Sequence, residues 1–261
     1  MRDIDPSRGV RVRGEPKPVV VGIDGSTASR NVLGWAVTEA VNRNVPIRLV
    51  HAVPDIKPLN APACCTDEAL LRAEDEIRGL RTGVRVDSVR IPGESGEVLV
   101  RESFNAVMVC VGAPTANPST GRLFGPTAVA LLEHAHCPVA VIRTDSDGSP
   151  RKGGVVSVVL DDEPDNDAVV QMAMQEGRLR NATVRQVDRR RNSWIRRYPD
   201  VPVEIVASGT GRQYRRSRRD AVGVQLAVVG DSDADDIGTL AVPNCHPILG
   251  YPDCSVLMVR K

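Results

Sequence analysis

The sequence predicts an α/β protein made of two tandem units, each a five-stranded parallel sheet with helices between its strands. Three observations carry this. The stretch 18–26, PVVVGIDGS, is a continuous apolar run that ends in an Asp-Gly-Ser turn, as expected of a strand covered on both faces. A segment of helical periodicity and a second apolar run follow it, and a βαβ unit of this length forces its two strands to be parallel. Finally, residues 19–50 recur without a gap at 156–187. A repeat of that length implies two copies of one folding unit.

The first strand carries Val19, Val20, Val21 and Ile23. Over 27–43, Val32, Leu33, Trp35, Ala36, Ala40 and Val41 fall at helical spacing, with Arg30, Glu39 and Arg43 expected to turn away. Ser26 or Thr27 caps the start of this helix, and Asn44 and Pro46 end it. Ile47–Val53, IRLVHAV, is the second strand. Residues 54–65 form a loop rich in Pro and Ala that includes the adjacent Cys64 and Cys65. Leu70, Leu71, Ile77 and Leu80 among charges predict a helix over 66–82. Val84–Val89, VRVDSV, alternates like a strand with one wetter face, and Pro92-Gly93 reads as a turn. A short helix over 95–104 points Val98, Leu99 and Phe104 inward. Val107–Val111 is a buried strand ending at Gly112. The loop GAPTANPSTGRLFG (112–125), a helix over 127–135 and a fifth strand, Pro138–Ile142, complete the first copy.

Residues 1–17 read as a disordered tail and 145–154 as a polar linker. The expected units are therefore 18–144 and 155–261. The repeat places Asp24 on Asp161, Val32 on Val169, Ala36 on Ala173, Glu39 on Glu176, Arg43-Asn44 on Arg180-Asn181 and Arg48 on Arg185. Further on, Gly112 pairs with Gly230 and Cys137 with Cys254. The second copy departs where the first has its turn: Asp161-Asp162-Glu163 replaces Asp24-Gly25-Ser26. The helix between its second and third strands shrinks to about 189–197, and three prolines in VPNCHPILGYP (242–252) rule out a regular last helix.

Composition narrows the function classes. With 41% hydrophobic and 26% charged residues the chain is an ordinary globular protein. Aromatics at 3% leave the core to Val, Leu, Ile and Ala. A formal net charge of +1 gives no reason to expect nucleic acid or a membrane surface as partner. No apolar run is long enough to cross a bilayer, and the N-terminus does not read as a signal peptide. The six cysteines lack metal-type spacing. Cys110, Cys137 and Cys254 border apolar strands and behave as small core residues. The set fits a reducing cytoplasm.

VVVGIDGSTAS (19–29), VCVGAP (109–114) and HCPVAVIR (136–143) together resemble the universal stress protein family in its tandem-domain form, over essentially all of 18–261. The resemblance implies helices on both faces of each sheet and pairing of such units, within the chain or as a homodimer. It also implies ATP binding through a signature G-x2-G-x9-G-(S/T). Carried onto this sequence, Asp24, with Gly25 in the turn beside it, stands where the nucleoside is contacted, and Val53 where adenine packs. Gly112 is the first signature glycine, Thr115 stands in place of the second, and Gly125 is the third. Pro126 stands where Ser or Thr is expected, and Thr127 follows one place late. Glycines let backbone N–H groups approach phosphates, and a helix N-terminus adds a favourable dipole. Thr115 adds a Cβ to that cradle, and Pro126 removes one N–H while suiting a first helical position.

Other groups carry less. His134, His136 and Cys137 lie at a helix end and a strand start without a second ligand pair, so no metal site is expected. The arginines at 189–191, 196, 197, 212, 215, 216, 218 and 219 read as solvated faces. No arrangement for catalysis is present. Two functions fit: a cytoplasmic stress-response module that binds ATP, with or without Mg²⁺, in its first unit as sensor or regulator; or a nucleotide-free module of the same fold that docks a regulatory protein partner.

Overall fold

The computed structural model describes residues 15–53, 64–113, 124–143, 153–160, 166–188, 198–207, 223–231 and 254–260. Several expectations lie outside those residues: the tail up to residue 14, most of the linker, Thr115, the acidic turn 161–163, the helix over 189–197, the arginines between 208 and 222, and the segment 242–252.

The described residues form ten strands and five helices. In chain order they are β1 (Val19–Gly22), α1 (Thr27–Arg43), β2 (Ile47–Val53), α2 (Cys64–Gly79), β3 (Val86–Pro92), α3 (Ser95–Ser103), β4 (Met108–Ala113), α4 (Pro126–His134), β5 (Val139–Arg143), β6 (Val155–Leu160), α5 (Asn166–Arg180), β7 (Val184–Asp188), β8 (Val203–Ala207), β9 (Val224–Val229) and β10 (Ser255–Met258). All ten strands join one sheet in the order β3-β2-β1-β4-β5-β10-β9-β6-β7-β8. Each half is parallel, and the second repeats the order of the first. The two meet at an antiparallel seam, where Val256 faces Val141 and Met258 faces Val139.

Both faces of the sheet are covered, which explains the unbroken apolar runs. Val19 and Val21 pack with α1, α2 and α5 on one face. Val20 packs with α3 and α4 on the other. Both clusters continue across the seam into β6, β9 and β10, so the halves share their core. The repeat also reproduces local detail. Asn44 closes α1 with φ 53°, and Asn181 follows α5 with φ 48°, the left-handed conformation that asparagine tolerates best after glycine.

Four expectations are corrected. Glu39 does not turn away: it is fully buried, as is its repeat mate Glu176. The face of α1 that carries Glu39 is covered by α5 of the other half. There Arg43 pairs with Glu39 at 3.3 Å and also reaches Met172 Sδ at 3.4 Å. Arg180 pairs with Glu39 at 3.3 Å and with Glu176, and stacks on Trp35. Buried charge on Glu39 is retained because two guanidiniums match it, Arg43 from its own helix and Arg180 from α5. Phe104 is not inward but 61% exposed, its ring stacked on His136 at 3.6 Å. Val41, Leu71 and Leu80 are likewise exposed, Leu80 because α2 stops at Gly79. The third strand begins at Val86 and runs through Pro92, where a turn was expected; β3 is an outer edge strand, the place where a sheet tolerates a missing N–H. The backbone of Cys64 and Cys65 lies in α2, not in a loop.

Candidate functional site

With strand order 3-2-1-4-5, the chain reverses direction across the sheet between β1 and β4, and the crevice beyond the carboxyl ends of those strands is where open α/β sheets bind ligands. Four of the expected site residues stand on that rim. Asp24 and Gly25 follow β1, Val53 ends β2 beside it, and Gly112 lies near the end of β4 on its other side. Gly125 and Thr127 bracket the start of α4.

Asp24 begins the turn into α1. Its Oδ1 accepts the Ser26 N–H at 2.9 Å, and Gly25, with φ +82°, makes the reversal that a side chain would strain. Ser26 is the N-cap: its hydroxyl oxygen accepts the Ser29 N–H at 3.1 Å. Burial alone would raise the Asp24 carboxyl, but the hydrogen bonds from Ser26 and Ser29 outweigh it and hold the group below its ordinary value. Asp24 is thus an exposed carboxylate fixed by its own turn at the strand end.

The rim is braced by a residue the sequence reading did not single out. His51, buried in β2, has Nδ1 at 2.5 Å from the Ile23 carbonyl. A carbonyl only accepts, so Nδ1 carries the proton. The Ile23 N–H in turn donates to Val50 O at 2.9 Å. Ile23 is therefore clamped on both sides immediately before Asp24. A polar residue inside an apolar run was the available signal.

Gly112 has a packing role of its own. A Cβ there would sit 2.0 Å from the Ala28 carbonyl oxygen and 2.8 Å from the Ser29 nitrogen. The first turn of α1 crosses the end of β4 at a distance that only glycine permits. Gly125 differs: among the described residues its Cβ would meet nothing within 4 Å. It is the N-cap of α4 without a side-chain cap, and Pro126 occupies the first turn as expected. The Val129 N–H makes the first intrahelical bond, to Gly125 O at 3.0 Å, so the Thr127 and Ala128 N–H groups have no acceptor within the helix. Phe124, just before, is buried, with the Arg143 guanidinium stacked on its ring at 5.1 Å.

Among the described residues no group of three or more His, Cys, Asp or Glu is arranged to hold a metal ion. Cys110 and Cys137 are buried, free thiols, Cys254 is likewise buried, and burial pushes Cys137 up to about 12. Among the described residues no helix is long and apolar enough to cross a membrane.

Comparison with known proteins agrees with this architecture. The model of the universal stress protein family matches residues 15–143. A universal stress protein of Mycobacterium tuberculosis is 36% identical over 95% of this chain and 99% of its own length. A second from the same organism is 33% identical over 95% of this chain and 98% of its own. The crystal structure of a universal stress protein from Archaeoglobus fulgidus superimposes with a TM-score of 0.64 at 14% identity, covering 95% of this chain and 97% of that one, which shows the shared fold. On the strength of the relatives matched end to end, the chain belongs to the universal stress protein family.

Proposed function

We propose that this universal stress protein acts in the stress response by binding an adenine nucleotide, ATP in the first instance, on the β1–β4 rim of its first half, as a sensor or regulator without catalysis. The observation that carries this reading is the combination at that rim of an exposed carboxylate, Asp24, with a helix N-terminus opened by Gly125 that has no side-chain cap and where an added Cβ would meet none of the described residues. The residues suit the ligand. Asp24 accepts from ribose or base, Val53 offers an apolar surface to adenine, and the Thr127 and Ala128 N–H groups face the phosphates with the helix dipole behind them. Pro126 subtracts one donor from that set. Mg²⁺, where it takes part, enters with the phosphates.

Calorimetry of the purified protein with ATP, ADP, AMP and adenosine, each with and without Mg²⁺, tests this. One site per chain is expected, lost in Asp24→Ala and in Gly125→Asp, the latter by placing a carboxylate against the phosphates. Absence of heat with every ligand would refute it. One observation favours a second reading, a nucleotide-free docking module: the Asp24 turn and the Gly112 approach are both accounted for by folding alone. Recovery of one stable protein partner by the apo protein, with a negative nucleotide screen, would select it.

A further inference from the structure

The two ends of α4 lie at different rims of the sheet. Its N-terminus belongs to the candidate nucleotide site. Its C-terminus lies near the start of β5, and because β10 runs antiparallel to β5, the carboxyl ends of β9 and β10 are found there. The carbonyl of Leu132, a fully buried residue, is one of the last four of the helix and lacks a helical partner. The N–H four residues on, that of His136, donates instead to Ser103 Oγ at 2.9 Å. The Leu132 carbonyl is taken by Arg260 of the second half, whose Nη2 donates to it. The other arm of the same guanidinium pairs with Asp231. Arg260 is almost fully enclosed, with a side-chain exposure of 12%. A positive charge at the negative end of a helix dipole is favourable in itself. Asp231 directly follows Gly230, which matches Gly112, so the second half uses its altered strand end to hold this arginine.

We propose that Arg260 is a positioning residue for the nucleotide site of the first half: held by Asp231, it fixes α4 from behind and so sets where the N–H groups of Thr127 and Ala128 meet the phosphates. The proposal rests on the nucleotide reading and gives the altered half a part in it, as a strut. α4 has only nine residues, so a shift at its C-terminus is carried to its N-terminus as a rigid body. The adenosine end of the ligand would meet Asp24, just after β1, and Val53 at the end of β2, which this shift leaves in place.

The test compares wild type, Arg260→Met and Arg260→Lys in the full chain by two measurements. Hydrogen exchange without any ligand reads the α4 amides: Arg260→Met is expected to lose protection there, and Arg260→Lys, which can still donate to Leu132 O, to keep most of it. Titration with ATP and with adenosine reads the site: Arg260→Met is expected to weaken ATP about tenfold while adenosine changes less than about twofold, with Arg260→Lys restoring ATP binding. Unchanged α4 protection in Arg260→Met overturns the strut. Lost protection with an unchanged ratio of ATP to adenosine affinity, or equal weakening of both ligands, overturns the positioning role while leaving the nucleotide reading intact. A wild type that binds neither ligand overturns both, and the exchange measurement still reports whether Arg260 holds α4.

Discussion

Gly112→Ala separates what the signature glycine does for the fold from what it does for a ligand. The added Cβ would stand 2.0 Å from Ala28 O and 2.3 Å from Ala28 C, where ordinary van der Waals contact begins at 3.4 Å. Both obstacles are backbone, so no rotamer change relieves them. The first turn of α1 must lift from β4, and with it the helix that packs Val32, Leu33 and Ala36 into the core, each fully buried. Overpacking costs about 1–3 kcal/mol in general, and a backbone obstacle belongs at the top of that range, about 3 kcal/mol. For a chain of this size that lowers the melting midpoint by roughly 6–12 °C. The matched control is Gly125→Ala, whose Cβ meets none of the described residues and whose cost stays below about 1 kcal/mol, the size of an N-cap preference. Scanning calorimetry of the apo variants is the assay. A Gly112→Ala protein that melts within a degree of wild type would refute the packing account and return the residue to the ligand alone.

Two further perturbations follow from the buried charges and the cap. Burial, with the facing Glu39 carboxylate, pushes Glu176 up to about 8 against the pull of Arg180 and Arg43, from an ordinary value of 4.5. Between those values the folded chain binds more protons than the unfolded one, so this group's contribution to stability falls as pH rises through the window. Melting midpoints of the wild type should therefore decline more steeply from pH 6 to pH 9 than those of Glu176→Gln, and parallel curves would count against a protonated Glu176. Ser26→Ala removes the acceptor for the Ser29 N–H and should cost about 1 kcal/mol in urea unfolding, while the backbone N–H at position 26 still donates to Asp24 Oδ1.

The sheet and the site rim were readable because they depend on local pattern. Apolar runs gave β1, β2 and β4, the Asp-Gly-Ser turn gave the start of α1, and the repeat gave the second half the same kind of unit as the first. What was not readable depends on what covers a face. Helical periodicity puts Glu39 beside Ala36 and Ala40, on the side that is in fact buried, but residue type assigned it to solvent. The arrival of α5 buries that position and brings Arg180, which with Arg43 makes it tolerable for a carboxylate. The repeat already matched Glu39 to Glu176 and Arg43 to Arg180, and such a coincidence of charged pairs on two helices is itself a signal of a shared joint. Phe104 failed in the opposite direction: it follows the last residue of α3, where helical periodicity no longer holds, and stacks on His136 outside the core. At the candidate site, the resemblance pointed to Asp24, Val53 and the glycines, whereas His51 and Arg260 act through a carbonyl of another element, which residue spacing does not reveal.

The antiparallel seam between β5 and β10 has a consequence for how such a chain can change. Two separate identical copies meeting across a two-fold axis must carry every substitution twice, once on each side, and their pairing depends on concentration. Joined in one chain, the partners are held at a high effective concentration whatever the protein level. Either side of the seam is then free to differ from the other. Ala113 in one half and Asp231 in the other is a difference that an identical pair could not hold, and it is the one on which the grip of Arg260 depends.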